Sequence, residues 1–282
     1  MNNVLRQVGR RAVPRSIRNW LRSPSRTLQW IGDGLAHTVG HHPRLELRPE
    51  WELVCHPAAF RILNAAQVHD PVQAAELAEF VTRCSPGMTL LDLGAHYGAF
   101  SLAAVHYGGP STQVVAVDPS RWATKMLRAQ AKLNGASDAM HIERAAVGPT
   151  VGTIRMLEVG VISDGYMVAG PEDDRPANEF SEVPMTTIDA LCEERQVTPT
   201  HIKIDVEGTE LGVLRCGRET LRQAHPALFI ELHNAMIRDD GGDPTTTLAT
   251  LEDLGYSEWL VEGRPVDRRV ILGDDLVRIV AV

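Results

Sequence analysis

The sequence predicts an α/β fold: a mostly parallel sheet with helices on both faces. Three stretches carry that prediction. Met88 to Leu93 is a short apolar run ending at Gly94, and a helix-like stretch from Gly98 through Ser101, Leu102, Ala104 and Val105 follows. A run this brief reads as a buried strand, and strand, glycine turn and helix in that order build a binding crevice at the carboxyl end of a parallel strand. Gln113 to Val117 is a second strand, closed by Asp118 with Pro119-Ser120 behind it. His201 to Glu207 is a third such unit, with Asp205 and Glu207 at its carboxyl end before the turn residue Gly208.

The chain has 282 residues, of which 44% are hydrophobic, enough to bury a large core without disulfides. Its four cysteines (Cys55, Cys84, Cys192, Cys216) show no metal-binding spacing and read as free thiols of a reducing compartment, so a cytoplasmic location is expected. No apolar run approaches membrane-spanning length. The net charge is −8, yet the first 32 residues hold seven arginines (Arg6, Arg10, Arg11, Arg15, Arg18, Arg22, Arg26) and no acid. The remainder therefore carries about −15, the difference between −8 and +7. An acidic body argues against a nucleic-acid substrate, which needs a basic groove. The arginine-rich start suits contact with anionic lipid, a polyanion or a partner, or a helical arm that packs on the body or on a second subunit of a homo-oligomer. Two parts are expected: residues 1–69 as an arm with an irregular segment, and 70–282 as the main domain.

Within the first part, Pro43 to Pro57 is irregular or weakly stranded, with Trp51 to Cys55 as a short strand. Asp70-Pro71-Val72-Gln73 starts a helix, with an Asp cap, Pro at the first helical position and Gln three residues after the cap. It runs to about Arg83, burying Leu77, Phe80 and Val81, and is expected to cover the pocket. After Asp118 a helix from Arg121 to Leu133 stops at Asn134-Gly135. His141 to Gly148 then supplies another strand, with Ala146 near its end. Residues from about 150 to 187 break the alternation and read as an insertion over the active-site face, either selecting the substrate or lying idle in solvent. Thr187 starts a short helix to Arg195, and a helix to about Gln223 follows Gly208. Ala227 to Asn234 is a strand that places Glu231 and His233 on one face. Asp243-Pro244 starts a helix ending at Gly255, and Tyr256–Val261, Arg269–Leu272 and Val277–Val282 read as closing strands.

The turn decides which ligand the crevice takes. A pyrophosphate-binding turn wants G-x-G-x-x-G, whereas Asp92-x-Gly94-x-x-x-Gly98 resembles the first motif of S-adenosylmethionine (SAM) methyltransferases. On that likeness Asp92 would receive the ammonium of the cofactor, and Gly94, Ala95, His96 and Gly98 would form the turn against it. Asp118, at the end of the second strand, can accept both ribose hydroxyls, or it can serve as a helix cap. Ala146 would line the adenine side.

Taken together, LLDLGAHYGAFSL, VVAVDPS, AAVG, VPMTTIDAL, IKIDVEGTELGVL and LFIELHN, from about Thr89 to Asn234, resemble the FkbM family of SAM-dependent methyltransferases. The resemblance implies a Rossmann-like class I methyltransferase with a seven-stranded sheet whose last strand is antiparallel. It also implies methylation of a hydroxyl on a sugar, glycolipid or polyketide-type metabolite. His96 stands where many members have Asn. The first 32 residues lie outside it.

An alcohol attacks a sulfonium methyl better once a base takes its proton. Asp205 is the first candidate base and His233 the second, with Glu207 orienting either or capping the helix after Gly208. Asp205, Glu231 and His233 could alternatively hold a divalent cation, though no spacing requires it. A protein or nucleic-acid N-methyltransferase is a rival reading, as is a SAM-binding protein without turnover. Against the first, the Asp/Asn-Pro-Pro-aromatic run of base-methylating enzymes is replaced here by Asp205-Val206-Glu207-Gly208.

Overall fold

A computed structural model of the chain describes residues 24–157 and 180–282. The arginine-rich residues 1–23 and most of the expected insertion (158–179) lie outside the described residues. The main sheet has eight strands: β3 (Thr89–Leu93), β4 (Gln113–Val117), β5 (Met140–Glu143), β9 (His201–Ile204), β10 (Ala227–Leu232), β11 (Trp259–Val261), β12 (Arg264–Pro265) and β13 (Val277–Ala281), in the spatial order β12-β11-β13-β10-β9-β3-β4-β5. β3, β4, β5, β9 and β10 pair in parallel, and β13 runs antiparallel to β10. The expected seven strands are all present in kind. The eighth, β12, is a two-residue hairpin partner of β11, made by Glu262 and Gly263 turning with φ of 49° and 70°.

Strand order reverses beside β3. The chain first builds outward through β4 and β5, then β9 lands on the other side of β3. The crevice outside the carboxyl ends of β3 and β9 is thus the place where such sheets bind ligands.

Period-two alternation sends β3, β9, β10 and β13 side chains to two separate cores. On one face, Leu90, Val114, Phe229 and Val280 pack with α2 (Pro57–Asn64), α3 (Pro71–Arg83), α4 (Ala99–Gly108) and α5 (Arg121–Leu133). On the other, Leu91, Ile202, Ile204, Ile230 and Ile279 meet α6 (Ile188–Arg195), α7 (Glu210–Arg215), α8 (Arg218–Ala224), α10 (Pro244–Asp253) and α11 (Arg268–Gly273). α9 (Asn234–Asp239) follows β10 directly.

The helix starts follow their caps. Asp70 accepts from Val72 and Gln73 N–H, Ser120 from Ala123, Thr187 from Ala190 and Asp243 from Thr245. The α3 helix has the expected limits but packs on the sheet face, where Phe80 sits edge-on to Phe100 and Phe229. It is a wall of the core and not a cover.

Three expectations need correction. His141–Gly148 is not one strand: β5 stops at Glu143, and β6 (Ala146–Val147) joins a separate three-stranded sheet with β7 (Gly152–Leu157) and β8 (Phe180–Thr186). Between them the Arg144 side chain turns to Pro119 O at 3.1 Å and Ser181 Oγ at 2.8 Å, which ties the β8 strand to the loop after β4. The helix expected to reach Gln223 breaks at Cys216-Gly217, where the backbone runs so close to α6 that a Cβ at Gly217 would stand 2.8 Å from Ile188 Cβ. Arg269–Leu272 is helical, since Asp267 caps the N–H groups of Arg269 and Val270. The short strand expected from Trp51 is β2 (Trp51–Val54), and β1 (Arg44–Arg48) pairs with it in a hairpin whose Leu45, Trp51 and Leu53 enter the same core as Leu90. Upstream, α1 (Pro24–Thr38) lies against α2, and Arg61 of α2 grips Asp33 with both guanidinium nitrogens.

Candidate active site

The turn between β3 and α4 is tight. Gly94 (φ 85°), His96 (φ 48°) and Gly98 (φ 82°) all adopt left-handed backbone. A Cβ at Gly94 would lie 1.9 Å from the Asp205 carbonyl oxygen, so only glycine lets the loops after β3 and β9 approach this closely. His96 adopts a conformation that Asn takes more readily than most residues. Its imidazole stacks on Tyr97 with centroids 4.0 Å apart, and burial lowers its pKa to about 4, keeping it neutral. Gly98 precedes α4 and brings no side-chain cap of its own, while the Asp92 carboxylate accepts the Ser101 N–H of the first turn from beneath.

Asp92, the residue that the motif likeness assigns to an ammonium, is 2% exposed beneath the turn, and its Oδ2 accepts the Ser101 hydroxyl at 2.5 Å. Burial raises its pKa, with the Ser101 bond opposing. It braces the start of α4 from below. Asp118 sits at the end of β4 as expected, and the helix cap after it is Ser120. Its Oδ2 accepts the His96 N–H at 2.9 Å and its Oδ1 the Ser120 N–H at 2.8 Å, which locks the β4 loop to the glycine turn. Each carboxylate oxygen has a further lone pair. Ala146 is buried in β6 against Met185 and Val183, at the edge of the small sheet rather than at the end of a third parallel strand.

The end of β9 joins the groups expected to do chemistry. Asp205 N–H donates to Leu93 O at 2.9 Å, which holds the Asp205 loop against β3. His233 Nε2 lies 3.8 Å from Asp205 Oδ1 and 3.6 Å from Glu207 Oε2. His233 Nδ1 is 2.7 Å from Glu210 Oε1. Glu210 itself is fully buried and also accepts the Gly208 N–H at 2.9 Å. The Glu210 contact fixes the ring, so that Nε2 faces the two carboxylates. Burial works to lower the His233 pKa, but Glu210, then Glu207 and Asp205, outweigh it and raise it to about 9. Burial, with Glu231 and Glu207 nearby, raises the Asp205 pKa well above the usual carboxylate range, while Lys203 and His233 oppose. Asp205, His233 and Glu207 thus converge as the sequence suggested. Glu210 has no role legible in the sequence, because nothing in a linear pattern says which histidine a helix-start glutamate will meet.

Beneath them runs a buried row of charge that the sequence reading missed. Lys203, 2% exposed, places Nζ 3.0 Å from both Glu231 Oε1 and Glu76 Oε1 and 5.0 Å from the Phe100 ring. Arg278 of β13 reaches Glu231 at 2.7 Å and Glu76 at 3.0 Å. Two cations and two carboxylates balance. Against burial, the carboxylates raise the Lys203 pKa, and Lys203 with Arg278 lowers that of Glu231 to about 2. The available signal was alternation: Lys203 lies between Ile202 and Ile204, and so shares a sheet face with its cross-strand neighbours Asp92 and Phe229.

Ligand atoms of Asp205, Glu231 and His233 lie within 4.8 Å of one another, close enough for a cation. However, Lys203 at 3.0 Å and Arg278 at 2.7 Å already set two positive charges against the Glu231 carboxylate, and a divalent ion there would lie beside both. That donor set does not suit a divalent ion without breaking the charge row.

In sequence, no curated protein matches the chain. Among solved structures it is similar to an FkbM methyltransferase from Methylobacillus flagellatus (15% identity, 91% of this chain and 60% of that one, TM-score 0.47). It is also similar to an O-methyltransferase from Bacillus cereus in complex with SAH (13% identity, 80% and 86%, TM-score 0.41). A third is the Aeropyrum pernix fibrillarin with natively bound S-adenosyl-L-methionine (13% identity, 74% and 73%, TM-score 0.43). Likeness at this level concerns the fold alone. The family model described as the methyltransferase FkbM domain matches residues 92–258, which contain the glycine turn, Asp118, Asp205, Glu210 and His233, and on that match the chain belongs to the FkbM methyltransferase family.

Proposed function

We propose that the chain is a SAM-dependent O-methyltransferase acting on a hydroxyl of a sugar, glycolipid or polyketide-type metabolite. The observation that carries this reading is the convergence of Asp205, Glu207 and His233 on the crevice beside Gly94, at the strand-order reversal. SAM supplies an electrophilic methyl, and its carbon–sulfur bond breaks to leave a neutral thioether.

The residues present fit that cofactor. The Gly94 cradle would be filled by any Cβ, and Asp118 offers two carboxylate oxygens at the end of β4. Asp118 would hold the ribose and the glycine turn the methionine end, with Asp92 shaping that turn from beneath. The acceptor hydroxyl donates to the Asp205 carboxylate, which takes its proton as the oxygen attacks. A raised pKa makes Asp205 a stronger base than an ordinary carboxylate. His233, charged near neutral pH, opposes the rise in the Asp205 pKa and so favours its anionic form, and is itself too well protonated to be the base. Glu207 contributes to that charge and aligns Nε2. The hairpin of β7 and β8 is tied to the Asp118 loop through Arg144 and frames the acceptor side.

Calorimetry with SAM, followed by labelled methyl transfer to a panel of hydroxylated sugars and glycolipids, tests the reading. Asp205→Asn should bind SAM within a few-fold of wild type and lose about 10²–10⁴-fold in kcat. Full turnover in that variant removes Asp205 as the base. Transfer only to amines would favour an N-methyltransferase, and tight SAM binding without any product a silent binding protein.

A further inference from the structure

We propose that the outward face of α1 is a docking surface for an anionic lipid bilayer. Ile31, Leu35 and Val39 are 55%, 62% and 80% exposed, a solvent-facing stripe of large apolar side chains spaced four apart. Val39 continues the helix, its N–H donating to Leu35 O at 3.0 Å, and Gly40 (φ 78°) ends it.

At about 100° per residue, these three positions centre roughly 180° away from Asp33 and His37. That opposite side holds the body. Asp33 is buried on the Arg61 guanidinium, and His37 lies 3.0 Å from His42 and 4.4 Å between ring centroids from His56. The helix is therefore anchored on one side and presents its apolar stripe on the other.

Charge selects the occupant. Seven arginines and no acid lie in the first 32 residues, and Asp33, the acid of α1, is turned inward and neutralised. An apolar stripe that follows, in sequence, a block of seven arginines with no acid among them matches the two components of an anionic membrane surface, acyl chains and phosphate headgroups. A nucleic acid would satisfy the arginines and leave the stripe in water. A second copy would cover the stripe but bring two arginine blocks together.

The test is co-sedimentation of the full chain with vesicles of phosphatidylcholine alone or mixed with phosphatidylglycerol. The mixed vesicles should bind it at least about tenfold better, and added salt should weaken the binding. The triple variant Ile31→Gln, Leu35→Gln, Val39→Gln should lose about tenfold or more on mixed vesicles while keeping its thermal midpoint and SAM affinity. Leu35→Gln alone should lose part of it, which serves if the triple variant folds poorly. The proposal is overturned by absent binding to mixed vesicles, by equal binding to both compositions, or by variants that bind like wild type. It is equally overturned if the variants abolish a dimer seen by sedimentation velocity, or if residues 1–23 are shown to cover the stripe by a wild-type protection from exchange that their deletion removes.

Discussion

A methyl group at Gly94 would stand 1.9 Å from a backbone oxygen of the neighbouring loop, whereas one at Gly98 would meet only the end of the Leu127 side chain. Backbone cannot move aside without opening the β3–β9 ladder, whereas the Leu127 clash, although in the buried core, involves the end of a side chain. Gly94→Ala should therefore lower unfolding stability by roughly 2 kcal/mol or more and abolish measurable SAM binding. Gly98→Ala should cost only about 1–2 kcal/mol, mostly for its left-handed backbone. Denaturant titration and calorimetry on the two variants check the difference. Glu210 gives a second prediction at this scale. It raises the His233 pKa, so the stabilising contribution of charged His233 is fully present below 6.5 and is lost as pH rises through about 9. In Glu210→Gln the imidazole should titrate about one pH unit or more lower by NMR, and the alkaline fall in thermal midpoint should begin earlier. An unchanged midpoint would remove Glu210 as the group that holds His233 charged.

Among the elements, β9 does the most for the site. Alternation gives it two faces: Ile202 and Ile204 enter the core of α6–α8, while Lys203 turns to the α3–α4 side and joins Glu76, Glu231 and Arg278. This row links α3, β9, β10 and β13 directly under the Asp205 loop. Lys203→Met removes one of the two cations and leaves Arg278 alone to balance two buried carboxylates, which should destabilise the protein by about 3 kcal/mol. Pairing it with Glu231→Gln should recover part of that loss, because it removes the excess negative charge. Thermal unfolding of the two variants decides whether the row is a coupled unit, and full additivity would show that it is not.

For the molecule as a whole, strand order brings distant segments together. Residues 92–98, 118, 205–210 and 233 meet because β9 returns to the far side of β3 after β4 and β5 have been laid down. The same assembly neutralises Glu231 twice over, and so predicts that methyl transfer survives saturating EDTA and gains nothing from added magnesium. Loss of activity with the chelator and its rescue by magnesium would reinstate a cation on Asp205, Glu231 and His233. Much of this was legible in one dimension. The glycine turn, the acid-ended strands and the Asp-Pro helix starts are local signals with local causes, and each fell where expected. Arg269–Leu272 misled because four residues of mixed character fit strand or helix equally, and only the capping bonds of Asp267 settle it. Lys203 and Glu210 were visible as letters, but their partners lie on other strands and helices.

The sequence by itself determined the fold class, the position of the glycine turn and which carboxylates stand at strand ends, because those follow from periodicity, backbone freedom and capping within a few residues. Tertiary structure alone decided that Asp92 braces the turn from below, that Glu210 holds His233, that Glu231 is spent on Lys203 and Arg278, and that α1 turns its apolar side to solvent. Each of these depends on which groups burial brings within a few ångströms, and burial is a property of the packed sheet rather than of any segment of the chain.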